Sequence, residues 1–237
     1  MATILNIDTS TGVCSTALTS DGMILCHRED FNARSHAALL SGFIKDCLDH
    51  MREHEMKLDA VAVTLGPGSY TGLRIGLSEA KGLAYALEVP LIGLCSLEVM
   101  ATGAMFNHPE LLPEDYDTEV MFAPMIDARR MEVFTAVYSL GLETLMEPQP
   151  LILDTESYKV FLERGRVIFM GDGSGKAKEL IKSNNAVWLD GVAPLATDML
   201  ALSERAYARR QFVDTAYAPP MYLKEFQATK PKNILGL

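Results

Sequence analysis

At 237 residues, 49% hydrophobic and 22% charged, the chain has the make-up of an ordinary globular protein and the length of one large domain or two small ones. No apolar run approaches a membrane span and the amino terminus lacks the regions of a signal peptide, so a cytoplasmic location is expected. The 31 acidic against 21 basic side chains give a formal charge of -10, which opposes a phosphate backbone and excludes nucleic-acid binding through general electrostatics.

Thr3 to Thr9, Val13 to Thr19 and Met23 to Arg28 alternate as strands do, separated by the turn-forming clusters Ser10-Thr11-Gly12 and Ser20-Asp21-Gly22. They predict an antiparallel meander. Ala33 to His54 then carries helical spacing, with Ser35 as a cap and Leu40, Ile44, Cys47, Leu48 and Met51 recurring every three or four residues. Leu39 and Phe43 widen this apolar arc beyond what one sheet-facing stripe requires. His50 and His54 could formally share a metal, but no third ligand is evident, and cationic histidine is favourable at a helix C-terminus in any case.

Ala60 to Leu65 reads as a buried strand and Leu73 to Leu87 as a helix, joined through Gly66-Pro67-Gly68-Ser69-Tyr70-Thr71-Gly72-Leu73-Arg74-Ile75-Gly76. Strand-to-helix turns of this kind commonly bind anions, because glycine and proline shape the turn and the free amides at the helix start favour negative charge. The spacing nevertheless fits neither standard phosphate code. The three glycines Gly66, Gly68 and Gly72 hold one residue too many for G-x-G-x-x-G, and Leu73 and Arg74 stand where a Walker loop needs Lys and Ser or Thr. Ser69 reads as the helix cap. Gly72, Gly76, Ala80 and Ala84 form a line of small residues along the helix, and an interior glycine costs about 0.5 to 1 kcal/mol relative to alanine. Close approach to another backbone would offset that cost, and the residues alone leave open whether this backbone is the protein's own or a second subunit's. A short strand at Leu91 to Leu94 completes the order β-β-β-α-β-α-β.

Asn107 to Thr118, with two prolines and four acidic residues, marks a boundary between residues 1–106 and 107–237. Beyond it the pattern predicts strands at Met121 to Ile126, Glu132 to Ser139 and Val167 to Met170, and helices at Thr155 to Arg164, Ala177 to Lys182 and Thr197 to Arg210. The proline-punctuated tail after Ala218 is expected to pack back on the first domain. Gly171-Asp172-Gly173-Ser174-Gly175-Lys176 has the wrong spacing for a Walker loop and reads as a tight strand-to-helix connection. Cys14, Cys26, Cys47 and Cys95 form no C-x-x-C pair and read as reduced, mostly buried thiols. No G-x-S-x-G nucleophile elbow occurs.

The opening Ile4-Leu5-Asn6-Ile7-Asp8-Thr9-Ser10, the glycine turn, Val89-Pro90-Leu91-Ile92-Gly93 and the closing Pro220-Met221-Tyr222-Leu223-Lys224 together resemble the TsaB (YeaZ) family, over nearly the whole chain and most specifically in the turn. The resemblance implies an α/β actin-like ATPase (ASKHA, ribonuclease H-like) fold of two β-β-β-α-β-α-type lobes, the second degenerate. It implies a non-catalytic scaffold and activator in synthesis of N6-threonylcarbamoyladenosine (t6A37) in tRNA, pairing with TsaD and, in a larger complex, with TsaE. A homodimer is implied when the chain is alone, with tRNA reached only through the complex, though Lys224, Lys230 and Lys232 are candidates for a local basic patch. In the family the first two helices contact TsaD, which assigns Leu39, Leu40, Phe43, Cys47, Gly72, Gly76 and Ala80 to the partner surface.

Catalytic relatives, TsaD and its counterparts, carry an H-x-x-x-H pair after this V-P, and Ser96 and Met100 hold those two positions here. The resemblance therefore implies no metal centre, with ATP and metal on partner subunits. Related ATPases also turn hydroxyls and amides toward phosphate where Asp8 and Thr9 stand, making Asp8, Thr9, Gly66 and Gly68 a candidate vestigial phosphate site. The competing reading makes Asp8 a local turn former. Two alternatives from the same superfamily are an M22 glycoprotease-like metallopeptidase, which the missing histidines oppose, and a small-molecule kinase, for which no second phosphate loop is found.

Overall fold

The computed structural model describes residues 2–32, 36–112 and 118–224. β1 (Thr3–Asp8), β2 (Cys14–Ser20) and β3 (Met23–Asp30) form the expected meander, with Ile4 opposite Thr19 and Asp8 opposite Ser15. α1 (His36–Glu53) follows, and its predicted cap Ser35 lies outside the described residues. β4 (Ala60–Gly66) then pairs parallel to β1, α2 (Tyr70–Ala86) returns across the sheet, and β5 (Leu91–Cys95) closes the order β3-β2-β1-β4-β5.

The sequence pattern did not predict α3 (Ser96–Asn107). Its apolar residues lack an amphipathic period because both sides of the helix are covered. Val99 packs with Ile4, Ala62 and Ile92 of the first sheet, while Leu97, Met100 and Ala104 pack with Phe122 and Ile168 of the second.

The second lobe runs β6 (Val120–Asp127), β7 (Glu132–Ser139), β8 (Thr144–Ile152), α4 (Lys159–Arg164), β9 (Arg166–Met170), α5 (Ser174–Leu180) and β10 (Ala186–Leu189). Its order, β10-β9-β6-β7-β8, repeats that of the first sheet. Every strand of the lobe is therefore present, and its degeneracy lies in helices of only 6 and 7 residues. β8 escaped prediction because Pro148 and Pro150 argue against a strand, and they are tolerated because β8 is an edge. β10, at 4 residues, is too short to carry a period.

The predicted last helix is a 3-10 turn, Ala196–Met199, followed by α6 (Leu200–Ala208). Ala196, Met199, Leu202 and Ala206 join the cluster of Ile4, Ala17 and Ile92, so the chain returns to the first sheet at Ala196, well before residue 218. The first sheet is thus covered by α1 and α2 on one face and by α3 and α6 on the other. The tail continues along the first lobe: Val213 donates its N–H to Leu91 at 2.9 Å and Met221 to Leu65 at 2.7 Å.

Candidate functional site

Ile7 of β1 pairs with Val63 of β4, so adjacent strand ends bring Asp8, Thr9, Gly66 and Gly68 together. What they build is a packed contact. The Ser69 N–H, at the start of α2, donates to the Ser10 carbonyl at 2.7 Å. Gly68, at φ 159°, is required there, since a Cβ would stand 2.0 Å from the same carbonyl oxygen. The Thr9 hydroxyl donates to the Gly72 carbonyl at 2.8 Å, and a Cβ on Gly76 would stand 2.2 Å from that hydroxyl oxygen. Asp8, Thr9 and Ser10 are fully buried. A phosphate would displace the Ser10 carbonyl and lie against a buried carboxylate, so these residues do not fit a nucleotide, and the candidate phosphate site is corrected to a closed turn. Ser69 does cap α2, accepting from the Gly72 N–H at 3.2 Å.

Burial pushes the Asp8 carboxyl up to about 6, although Ser10 donates to it through its N–H at 3.2 Å and its hydroxyl at 2.9 Å. The Thr64 hydroxyl neighbours the same carboxylate but falls short of full hydrogen-bond geometry. Asp8 is therefore an internal polar group held at an energetic cost and shielded from any ligand.

The small-residue line of α2 faces inward: Gly72, Gly76 and Ala80 are buried against the Thr9 turn and the sheet. Leu40 and Cys47 of α1 are likewise 0% exposed, packed with Leu5, Ile7 and Val61. The assignment of Leu40, Cys47, Gly72, Gly76 and Ala80 to a partner surface is thus corrected, because side chains consumed by the subunit's own core present nothing outward. Leu39 and Phe43 remain half-buried.

The outer side of the two helices holds a groove of about 740 Å³, lined by residues that include Ala37, Tyr70, Arg74, Ile75 and Leu83. Ser41 of α1 donates to the Glu79 carboxylate of α2 at 2.7 Å, tying the two walls together. At one end the Arg74 guanidinium lies 4.4 Å from the centre of the Tyr70 ring and donates to the Tyr222 hydroxyl at 3.0 Å. Tyr70 and Tyr222 stack at 5.0 Å. The sequence reading missed this face. Its signal was a second stripe at helical spacing, Thr71, Ile75, Ser78 and Gly82, beside the more conspicuous glycine and alanine line.

The second lobe repeats the turn in another chemistry. Gly171, at φ 93°, packs where a Cβ would stand 2.2 Å from the Met125 carbonyl oxygen. The Asp127 N–H donates to the Asp172 carboxylate at 2.8 Å, and Lys176 reaches Asp127 at 2.8 Å. Burial pushes the Asp172 carboxyl up, and two carboxylates at this turn oppose an anion. Ser96 and Met100 sit one turn apart on α3, both buried, and Met100 fills the core beside Phe122 and Ile168. Among the described residues no three His, Cys, Asp or Glu side chains are grouped to hold a metal. His54 spends its Nδ1 on the His50 carbonyl at 2.8 Å. Burial pushes the Cys14 thiol up to about 11 and the Cys47 thiol up to about 12, which leaves both unreactive.

Two sheets of one strand order, each with a glycine turn docked at its first strand, define an actin-like ATPase fold whose glycine turns are filled by the protein's own atoms. The sequence matches the family described as TsaD, tRNA N6-adenosine threonylcarbamoyltransferase, over residues 30–219. It is 34% identical over 236 residues, 96% of each chain, to the tRNA threonylcarbamoyladenosine biosynthesis protein TsaB of Escherichia coli (strain K12). The protein of the same name from Haemophilus influenzae is 28% identical over 94% of this chain and 93% of its own. The structure of YeaZ from Pseudomonas aeruginosa superposes with a TM-score of 0.78 at 30% identity, covering 94% of this chain and 100% of that one. The chain belongs to the TsaB (YeaZ) family.

Proposed function

We propose that this protein is a non-catalytic accessory subunit in tRNA threonylcarbamoyladenosine (t6A37) biosynthesis, acting by docking TsaD on the outer face of α1 and α2. One contrast carries this reading: the glycine turns are filled from within, whereas the α1–α2 groove stands open, with an apolar wall and a charged end at Arg74. A catalytic subunit would need the first to be open; a docking subunit needs the second. TsaE joins the pair in a larger complex, the same face closes a homodimer when the chain is alone, and tRNA, ATP and metal are held by the partners, in the cytoplasm.

The test is co-purification with TsaD of the same organism using Leu83→Asp and Phe43→Asp, which place an unpartnered charge in the contact. Both side chains also touch the core, so a lowered circular dichroism melt is expected; at a temperature where the variants remain folded, pairing should fall by at least about tenfold, and with it tRNA modification. Variants that are folded and still pair normally would remove the docking face. ATP or peptide turnover by the purified lone chain, lost in an Asp8→Ala variant, would favour the kinase or peptidase reading instead.

A further inference from the structure

The opposite face of the first lobe carries a second cavity, of about 560 Å³, between edge strand β3 and the layer formed by α3 and α6. Ile24, Phe106, Leu195 and Leu200 give it apolar walls, and Glu29 and Asp198 supply negative charge. The apolar margin is open to solvent, with Met23 60%, Ile24 45% and Phe106 63% exposed. β3 is the end strand of its sheet, with no strand on its outer side among the described residues. The other sheet's corresponding edge, β8, carries Pro148 and Pro150, whereas β3 has no proline to block a further strand.

No cation among the described residues is paired with the charge in the cavity. The Asn107 amide donates to Asp198 at 3.1 Å, but neither Asp198 nor Glu29 forms an ion pair among the described residues. Burial pushes the Asp198 carboxyl up to about 6, and the nearby Glu29 charge adds to the effect. The remaining groups nearby are His27 on β3, Thr102 on α3 and the backbone at Gly103, against which the Asp198 carboxylate packs.

We propose that this edge is a second docking surface, taking an extended segment of a partner protein that adds alongside β3 and sends an arginine or lysine side chain into the cavity. The aliphatic stem of such a side chain matches Ile24 and Phe106, and its cationic end supplies the charge that Asp198 and Glu29 lack. Because this surface lies on the face away from the α1–α2 groove, it is independent of pairing there.

The probe is the peptide acetyl-Val-Thr-Arg-Thr-Val-amide, titrated to millimolar concentration into isotope-labelled full-length protein, beside a version with glutamate in place of arginine. Amide shifts are expected in β3 and the last turn of α3, with the glutamate peptide at least about tenfold weaker. Glu29→Gln, at an exposed position outside the core, should weaken the arginine peptide several-fold, and adding Asp198→Asn should weaken it further, with pairing to TsaD unchanged in both variants. Equal binding of the two peptides, shifts confined to α1 and α2, unchanged affinity in Glu29→Gln, or no shift at the highest concentration would each overturn the proposal.

Discussion

The first lobe lays helices of 18 and 17 residues over its sheet, and the second covers a sheet of the same strand order with helices of 6 and 7. The second lobe uses aromatic side chains in their place. Phe169 stacks on Trp188 at 4.7 Å and meets the edge of Tyr158 at 5.1 Å, while the Tyr158 hydroxyl donates to Thr135 at 2.8 Å. The difference teaches that strand order and helical cover are separable. The first lobe keeps long helices, whose inner sides bind the sheet while their outer sides stay free, as the proposed docking of a partner requires. The lobe that need only stay folded can seal its core with a few large rings.

The comparison breaks most visibly at Gly76→Leu. If the small-residue line serves only internal packing, the substitution should cost about 4–5 kcal/mol, the upper end for single changes, and leave little folded protein in a circular dichroism melt. Gly82→Leu, on the groove side with open space around the glycine, should instead fold and lose pairing with TsaD. A well-folded Gly76→Leu protein would show that the inward packing has been misjudged. Phe169→Ala comes next, at about 3 kcal/mol or more. Hydrogen exchange should rise first in the second sheet, with α1 and α2 still protected, and a uniform rise would mean that the lobes unfold as one.

The pH dependence sharpens the contrast between the two strand ends. The fold raises Asp8 and Asp198 from 3.8 to about 6, so over that interval the folded chain retains protons the unfolded chain has lost. Their contribution to stability is complete below pH 3.8, falls as pH rises through about 6, and is level above that. Asp8→Asn should flatten this fall by no more than about 3 kcal/mol. Asp127, at the corresponding end of β6, is exposed and paired with Lys176 at 2.8 Å, so its replacement tests an ion pair rather than a buried carboxylate. Denaturant midpoints between pH 4 and 8, on the order of one point per unit, would decide it; an unaltered slope in Asp8→Asn would count against the buried-carboxylate account. Smallest is Tyr222→Ala, which removes one stack and one hydrogen bond for about 1 kcal/mol, read as a slight drop in melting temperature.

Elements with their own period were legible in the sequence: the meander, α1, α2 and the Ser69 cap all stand near their expected positions. The failures share a cause, which is context that period cannot express. α3 shows no amphipathic period because a sheet lies on each of two sides, and β8 carries prolines that only an edge tolerates. In the site, the sequence marked Gly72 and Gly76 as positions needing close approach, and the structure names the neighbour as Thr9. A glycine line records that some backbone comes near, without recording whose. Ile75 and Leu83 carried only the weaker signal of helical spacing, since moderately apolar side chains on a helix surface are common.

The late return of α6 to the first sheet has a consequence on the ribosome. Ile4, Ala62 and Ile92 are met on one side by Val99 of α3 and wait for Met199, Leu202 and Ala206 before the rest of their face is covered. Throughout synthesis of the second lobe the first therefore carries a half-covered apolar side, the kind of surface that chaperones recognise. A chain released after β10 has paired but before α6 emerges would carry both sheets and still expose part of an apolar face, so the loss of α6 is expected to favour aggregation or clearance.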